Sequence, residues 1–379
     1  MLKRTSFLKA IQLNLKVHPV CGLLGPRQCG KTTLARQIAD EYPERVHFFD
    51  LEHPEDLAAL EQPLRTLEQL HGLVIIDEIQ RLPNLFPVLR VLADKQQAHY
   101  LILGSASREL IRQSSESLAG RIGYVELTPL QISENCDSNK LLIQGGFPRS
   151  YLADTTEESF VWRNSYVQTF LERDIPNLGF NIPAVSLRRF WMMLAHVHGQ
   201  LLNMSVLATS LGVSTHTIRS YLDILAGTFM IRVLMPWFEN IHKRQVKSPK
   251  IYFRDNGILL NLLNISNHTD LLRYPQLGAI WEGFALEQVI DSLSLRSEEV
   301  FFWRTQNGAE LDLLIFHEGK RLGFEFKYAD MPKTTKSMHA AVEDLHLDYL
   351  YIIYPGNRQF SLTDKITAIG LVDWVGQSR

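Results

Sequence analysis

The chain has 379 residues, of which 45% are hydrophobic and 21% charged, and its formal net charge is −2. These values are typical of a globular protein with two or three domains, and the near-neutral charge excludes binding of nucleic acid through an overall positive field. The sequence has no apolar run near the roughly 18 residues of a membrane span, no signal-peptide core, and three cysteines without a metal or disulfide spacing, which predicts a cytoplasmic protein without a membrane partner.

The first motif along the chain is a phosphate-binding loop. Residues 25–32 read GPRQCGKT and match the pattern G-x-x-x-x-G-K-[ST]. The segment 20–24 before it predicts a buried strand, and 32–39 after it predicts a helix, so backbone N–H groups can cradle phosphate oxygens. Lys31 is expected to reach the terminal phosphates, and the Thr32 hydroxyl to ligate Mg²⁺. The predicted ATP site comprises Gly25, Pro26, Arg27, Gln28, Cys29, Gly30, Lys31, Thr32 and Thr33.

The segment 73–78 is an apolar strand that ends in two acids. About 45 residues after a phosphate loop, this pattern predicts that Asp77 holds Mg²⁺ and that Glu78 orients the attacking water. Both residues are therefore predicted to be catalytic.

Strands and helices alternate through this region, which predicts a parallel sheet covered by helices on both faces. The further elements are strands at 46–50 and 100–107 and a helix at 85–93. Ligands bind at the carboxyl ends of such strands. Ser105 is accordingly placed to contact the γ-phosphate or its water, although it can equally well begin the next turn.

The order of these motifs resembles bacterial and archaeal AAA-type ATPases, and most closely the group discussed beside the STAND signalling NTPases. The residues that carry the resemblance are the loop, the acidic strand end, GSAS at 104–107 and LAGR at 118–121. The resemblance implies that Ser105 senses nucleotide and that Arg121 acts as a finger or sensor. Proteins of this group often form homo-oligomers, although the sequence itself does not show a ring. Arg121 can instead pair with a surface carboxylate.

The middle of the chain predicts helices. A breaker cluster at 144–149 predicts a junction, and the helical stretch 160–174 carries an aromatic stripe typical of core packing. The segment 202–225 resembles a helix-turn-helix with its turn at Gly212, and the apolar residues 229–231 and 233–234 fit the strands of a winged variant.

Two groups of residues in this region are candidates for DNA binding. On this interpretation the second helix presents Thr215, His216, Thr217, Arg219 and Ser220 to DNA. A cationic stretch follows, with Lys243, Arg244, Lys247, Lys250 and Arg254. Phosphate contacts by these cations would weaken steeply with salt. A packing module and a solvated basic loop are the alternatives.

The last part of the chain carries an acidic constellation. Glu282 lies on the apolar face of a helical segment, where a carboxylate needs a partner or a metal. Asp312 lies on a predicted strand, and in the alternating segment 323–327 Glu325 and Lys327 share one face. This set resembles the PD-(D/E)XK nuclease superfamily. The resemblance assigns Glu282, Asp312 and Glu325 to metal and Lys327 to polarising water or stabilising the phosphorane, with Glu287 as a competing first acid.

The predicted fold class is α/β. A P-loop NTPase parallel sheet (1–150) is followed by an α-rich connector and winged helix (151–258) and an α/β restriction-endonuclease-like domain (259–379). The predicted function is that of an AAA-type ATPase that uses ATP and Mg²⁺ and acts on DNA, with metal-dependent nuclease activity as a further option. The alternative is a nucleotide-gated regulatory switch or interaction protein whose nuclease-like domain is catalytically silent.

Overall fold

A computed structural model describes residues 2–106, 118–239 and 243–377. The chain divides into two compact units, one formed by Met1–Pro129 with Gly227–Phe229 and the other by Leu130–Ala226 with Met230–Arg379. The predicted break at 150 lies inside the second unit, beyond the boundary between Pro129 and Leu130, and the predicted break at 258 also lies inside that unit.

The first unit alternates strands and helices, as the sequence predicts. Its elements are α1 (Thr5–Val17), β1 (Val20–Leu24), α2 (Lys31–Glu41), β2 (Val46–Asp50), α3 (Pro54–Ala59), α4 (Pro63–Leu67), β3 (Gly72–Asp77), α5 (Leu85–Lys95), β4 (Ala98–Gly104) and β5 (Ile122–Glu126). The strand predicted at 100–107 ends at Gly104 in the structure, and Ser107 lies outside the described residues.

The five strands form one parallel sheet in the order β2-β3-β4-β1-β5. Every residue of β1 and β3 is buried, which explains their unbroken apolar runs. Helices α1 and α2 pack one apolar face each into the same core as β1. The chain leaves β1 for a distant edge and later returns to both sides of it, so the carboxyl end of β1 is the switch point at which such sheets bind ligands.

The helices of the second unit occur before, within and after its strands. They are α6 (Ser138–Gln144), α7 (Pro148–Tyr151), α8 (Thr156–Thr169) with a π-helical continuation (Phe170–Asp174), α9 (Ile175–Asn177), α10 (Ala184–His196), α11 (Met204–Leu211), α12 (Thr215–Gly227), α13 (Asn256–Leu262), α14 (His268–Leu272), α15 (Leu277–Ser292), α16 (Lys336–Asp344) and α17 (Leu371–Gln377). Across the described ranges, no helix combines the length and apolar character that a membrane crossing requires.

Eight strands form one mixed sheet in the second unit. They are β6 (Ile231–Pro236), β7 (Lys250–Phe253), β8 (Val300–Arg304), β9 (Glu310–His317), β10 (Lys320–Phe326), β11 (Tyr349–Tyr354), β12 (Gln359–Ser361) and β13 (Ile366–Gly370). Their order is β12-β13-β11-β10-β9-β8-β6-β7. The sheet is therefore continuous across the predicted boundary at 258.

The two helices predicted on either side of Gly212 are α11 and α12, and Gly212 between them adopts a left-handed φ of 69°. The predicted wing strands differ from the structure. Residues 231–236 form the single strand β6, which pairs antiparallel with β7 and parallel with β8. Local apolar runs could not reveal the pairing with β8, because that strand lies far along the chain at Val300–Arg304.

The strands that carry the acidic constellation are neighbours in the sheet in the same order as in the chain. Helix α15 precedes the antiparallel strands β8, β9 and β10, and α16 then leads to β11, which is parallel to β10. Asp312 lies on β9, and Glu325 lies on β10. Glu282 lies on α15, so the order helix, strand, strand agrees with the sequence prediction.

Candidate functional site

The loop between β1 and α2 requires glycine at two positions. A Cβ on Gly25 would lie 2.3 Å from the carbonyl oxygen of Leu127, and Gly30 has a φ of +102°. Only glycine tolerates both the close approach and the left-handed backbone without strain. The loop therefore has the tight, backbone-exposing form that suits a phosphate group.

Lys31 and Thr32 begin α2 at the carboxyl end of β1. The buried Lys31 ammonium donates hydrogen bonds to the carbonyl oxygens of Gly25 and Pro26, both at 2.9 Å. The Thr32 hydroxyl donates to Asp77 Oδ2 at 2.6 Å. A cation, a hydroxyl and a carboxylate thus converge at the loop.

Asp77 ends β3 and is buried. Burial raises the pKa of its carboxyl group, and the hydrogen bond from Thr32 partly offsets this. Hydroxyl and carboxylate oxygens are hard ligands of the kind that Mg²⁺ prefers. The adjacent Thr32 and Asp77 oxygens therefore fit the predicted metal.

Glu78 follows Asp77 with a left-handed backbone, at φ 55° and ψ 44°. Such a conformation costs a non-glycine residue about 1–3 kcal/mol and is concentrated at functional sites. Its Oε2 atom accepts hydrogen bonds from the Gln80 amide and, at 3.5 Å, from the Ser105 hydroxyl. Arg27 Nη2 lies 3.6 Å from the other carboxylate oxygen. Glu78 is thereby held between the loop and the end of β4.

Ser105 follows β4, and its hydroxyl accepts a hydrogen bond from the Gln80 amide at 3.0 Å. Ser105 therefore lies beside Glu78, and its predicted contact with the γ-phosphate or its water stays a prediction. Gln80 was missed by sequence reasoning, although it lies only two residues beyond Glu78. A glutamine after an acidic pair does not by itself predict a role in the site, because its contact with Glu78 arises only from the turn after β3.

Arg121 lies apart from this group. Its guanidinium makes a two-point contact with Asp94, with N–O distances of 2.6 and 3.0 Å. Hydrogen bonding from Arg121 lowers the pKa of the exposed Asp94 carboxyl group. Within one chain, Arg121 therefore forms the surface ion pair that was the alternative to a finger or sensor.

The N-terminal segment also supports the loop, which the sequence did not indicate. The buried Arg4 guanidinium donates to the carbonyl oxygens of Cys29 at 3.3 Å and Thr128 at 2.9 Å. Cys29 is fully buried, and burial raises the pKa of its thiol. Cys29 thus fills space inside the loop.

The acidic residues of the second unit meet around a lysine. We call this group the Lys250 cluster, and it comprises Lys250, Tyr252, Glu282, Glu310 and Asp312. Lys250 Nζ lies 2.6 Å from Glu310 Oε1, 3.1 Å from Glu282 Oε1 and 3.6 Å from Asp312 Oδ1. The Tyr252 hydroxyl donates to Glu282 Oε1 at 2.5 Å.

The periodicity of strands places these side chains together. Lys250 and Tyr252 are two residues apart on β7, as are Glu310 and Asp312 on β9, so each pair shares a face. Glu310 could have been found from the sequence by this rule, and Tyr252 could also have been found once Lys250 was known to be buried.

The electrostatics of the cluster follow from burial and from mutual charge. Burial, with the neighbouring Asp312, raises the pKa of Glu282 to about 7, although Lys250 lowers it. Burial alone would lower the pKa of Lys250, but Tyr252, Glu282, Asp312 and Glu310 together raise it well above its ordinary value. Lys250 is consequently charged across the physiological pH range.

Glu325 and Lys327 form the neighbouring pair predicted from their alternation. Lys327 Nζ lies 2.8 Å from Glu325 Oε2. Burial, followed by the charge of Asp312, raises the pKa of Glu325 to about 8. For Lys327, burial lowers the pKa, but Glu325 and Asp312 outweigh it and raise it to about 12.

The prediction that Glu282, Asp312 and Glu325 hold a metal does not fit this arrangement. In the part of the chain that the structure describes, no group of three or more His, Cys, Asp or Glu residues is arranged to hold an ion. The Lys250 ammonium lies among the carboxylates instead. Glu287, the competing first acid, pairs with Arg232 and so leaves Glu282 as the acid near Asp312.

The candidate DNA-binding residues are mostly exposed. On α12, Thr215, His216, Arg219 and Ser220 are exposed, and Thr217 is half-buried, where its N–H donates to Ser214 Oγ at 3.1 Å. In the basic stretch, Arg244 and Lys247 are exposed.

The other cations of the basic stretch have carboxylate partners. The exposed Lys243 pairs with Asp344 at 2.7 Å, and Arg254 lies 3.6 Å from Glu287. The prediction that Lys250 contacts DNA does not fit the structure, because only 3% of its side chain is exposed.

The parallel sheet, the loop and the Asp77–Glu78 strand end are those of an AAA-type P-loop ATPase-like domain. A family model described as an AAA domain matches residues 17–136. Two models described as domains of unknown function, DUF8612 and DUF4143, match residues 136–269 and 277–374.

The chain belongs to the family of the uncharacterized proteins Rv2008c of Mycobacterium tuberculosis and Mb2031c of Mycobacterium bovis. It is 48% identical to each over 366 residues, which cover 95% of this chain and 82% of each relative.

Solved structures with a distant likeness include a Walker-type ATPase of Pyrococcus abyssi, with a TM-score of 0.48, 13% identity and coverage of 69% of this chain and 96% of that one. The RuvB Holliday junction branch migration motor of Thermotoga maritima has a TM-score of 0.32, 20% identity and coverage of 61% and 90%. Both likenesses are too remote to assign a function.

Proposed function

We propose that the first unit binds ATP with Mg²⁺ and hydrolyses it. The observation that carries this proposal is the 2.6 Å contact between the Thr32 hydroxyl and the Asp77 carboxylate, beside the Lys31 ammonium in the loop. These three groups have the charge and the chemistry that phosphoryl transfer requires of a protein.

Each residue of the site has a distinct part in this mechanism. Lys31 exchanges its carbonyl partners for phosphate oxygens. Thr32 and Asp77 would hold Mg²⁺, which when bound neutralises charge on the phosphates. Glu78 orients the attacking water, and Ser105 and Gln80 hold the Glu78 carboxylate in place.

The site is tested by measuring Mg²⁺-dependent phosphate release from ATP by the wild type and by the variants Lys31→Ala and Glu78→Gln. Loss of water positioning reduces turnover by about 10²–10⁴-fold. We expect both variants to lose turnover, but only Lys31→Ala to lose ATP binding in calorimetry. The exposed Lys9 and Glu55 provide the matched controls Lys9→Ala and Glu55→Gln. Wild-type turnover in both site variants would refute the proposal.

The proposal extends to DNA as the partner of the second unit. Its support is the exposure of Arg219 on α12 and of Arg244 and Lys247 in the basic stretch. Such cations release counterions from DNA, so affinity for a duplex should fall steeply with salt. Fluorescence anisotropy over a salt series tests this, and a failure to bind at any salt concentration would favour a protein partner.

A nucleotide-gated switch is the second candidate, favoured by the position of Lys250 among the acids of the nuclease-like region. In this version the second unit binds its partner without cutting it, and Arg121 acts on nucleotide only in a homo-oligomer. Slow turnover with tight nucleotide retention would support the switch, whereas rapid turnover stimulated by DNA would support the first candidate.

A further inference from the structure

We infer that the Lys250 ammonium takes the place of a divalent cation in the second unit, so that the Lys250 cluster is a metal-independent site. This inference does not depend on ATP hydrolysis in the first unit. It concerns the lysine that lies where the acidic residues Glu282 and Asp312 predict a metal ion.

The backbone fixes Lys250 in this position. It begins β7, pairs with Leu234 of β6 and forms a further bridge with Leu201. Its ammonium lies 5.6 Å from the ring centre of Phe302, and the side chain is only 3% exposed. The lysine is thus an integral part of the packed sheet and cannot leave without disturbing it.

One oxygen of Glu282 and both oxygens of Asp312, which a metal would need, already face protein partners. Glu282 Oε1 accepts hydrogen bonds from both Lys250 and Tyr252. Asp312 Oδ2 accepts the backbone N–H of Phe326 at 3.1 Å, and its other oxygen faces Lys250 at 3.6 Å. A metal on these oxygens would lie within a few ångströms of a like charge in a desolvated setting, where repulsion is strongest.

The other two carboxylates beside the site, Glu310 and Glu325, also have cationic partners. Glu310 pairs with Arg304 at 3.2 Å as well as with Lys250, and Glu325 pairs with Lys327. An added dication would therefore meet carboxylates that already have cationic partners. Without a bound metal, this site lacks a metal-activated water. The Lys250 cluster is therefore better suited to binding a partner than to hydrolysing one.

The test uses the full chain and Mn²⁺ as the probe. All six tryptophans lie in the second unit, so the urea midpoint of tryptophan fluorescence reports on that unit alone. We expect the wild-type midpoint to be unchanged by Mn²⁺. In Lys250→Met the midpoint should fall without metal and rise with it, with a folding equilibrium constant about 100-fold higher at 100 times the dissociation constant.

Two further variants make the test specific. Adding Asp312→Asn to Lys250→Met should remove the Mn²⁺ response, and Lys250→Arg, which keeps the charge, should behave like the wild type. A wild-type midpoint that rises with Mn²⁺ and loses this rise in Asp312→Asn would overturn the inference. A folded Lys250→Met that ignores Mn²⁺ would also overturn it. If Lys250→Met does not fold, the wild type and Asp312→Asn decide the question.

Discussion

The ion pair between Arg232 and Glu287 offers a direct test of the packing in the second unit. Its two hydrogen bonds are 2.5 and 2.9 Å long, and both side chains are less than a tenth exposed. Arg254 lies 3.6 Å from the same carboxylate. Removing one partner of such a pair leaves a buried charge uncompensated and costs about 3–5 kcal/mol.

We therefore expect Glu287→Gln to reduce the free energy of unfolding of the second unit by that amount. For a unit of this size, the thermal midpoint falls by about 2 °C for each kcal/mol, so the expected loss is about 6–10 °C. Tryptophan fluorescence follows the second unit selectively, because every tryptophan lies there.

Two variants control this measurement. Glu298→Gln removes the same charge from a carboxylate that is 53% exposed, and its effect should stay within about 0.5 kcal/mol. The double variant Arg232→Met with Glu287→Leu should recover part of the loss, because apolar residues then replace the pair. A Glu287→Gln midpoint equal to that of Glu298→Gln would refute the reasoning.

The contribution of Glu287 to stability should also depend on pH in a known direction. Burial raises the pKa of Glu287, but Arg232 and Arg254 outweigh it, so that the pKa lies below its ordinary value. The stabilisation is then present above the unfolded pKa and is lost as pH falls through the lowered folded pKa. The difference between wild type and Glu287→Gln should accordingly shrink in acid.

Gly25→Ala should abolish ATP binding in calorimetry, because the new methyl group would lie 2.3 Å from the Leu127 carbonyl oxygen; retained binding would contradict the loop geometry. Burial raises the pKa of Glu325 to about 8, so the folded state keeps a proton that the unfolded state releases. Stability of the second unit should therefore fall as pH rises from about 4.5 to 8, and an equally steep fall in Glu325→Gln would argue against this. Arg219→Ala and Lys247→Ala should each lower DNA affinity and reduce the salt slope by about 1, whereas unchanged slopes would exclude phosphate contacts.

The nucleotide site could be predicted in detail from the sequence because its determinants are local. Strand β1 and the start of α2 agree with the prediction to within a residue, since the loop motif fixes both of its flanks. Asp77 and Glu78 follow from an apolar run that ends in acids. Gln80 could not be predicted, because its contact with Glu78 depends on the turn after β3.

The second unit was less predictable because its contacts are distant in sequence. Lys250 belongs by composition to a solvated basic stretch, yet its partners lie 32 residues away at Glu282 and about twice as far away on β9. The aromatic stripe of α8 was predicted correctly as core packing, because Tyr166 and Phe170 stack with ring centres 6.2 Å apart. Helical periodicity is visible in a sequence, whereas the partner of a buried charge is not.

The continuity of the eight-stranded sheet determines how this protein can be dissected. A truncation that began at residue 259 would remove β6 and β7 and leave β8 with an unpaired edge, which invites aggregation. It would also discard Lys250, so that Glu282 and Asp312 would lose their shared counterion. A truncated protein intended to represent the C-terminal region alone should therefore retain everything from residue 130 onward.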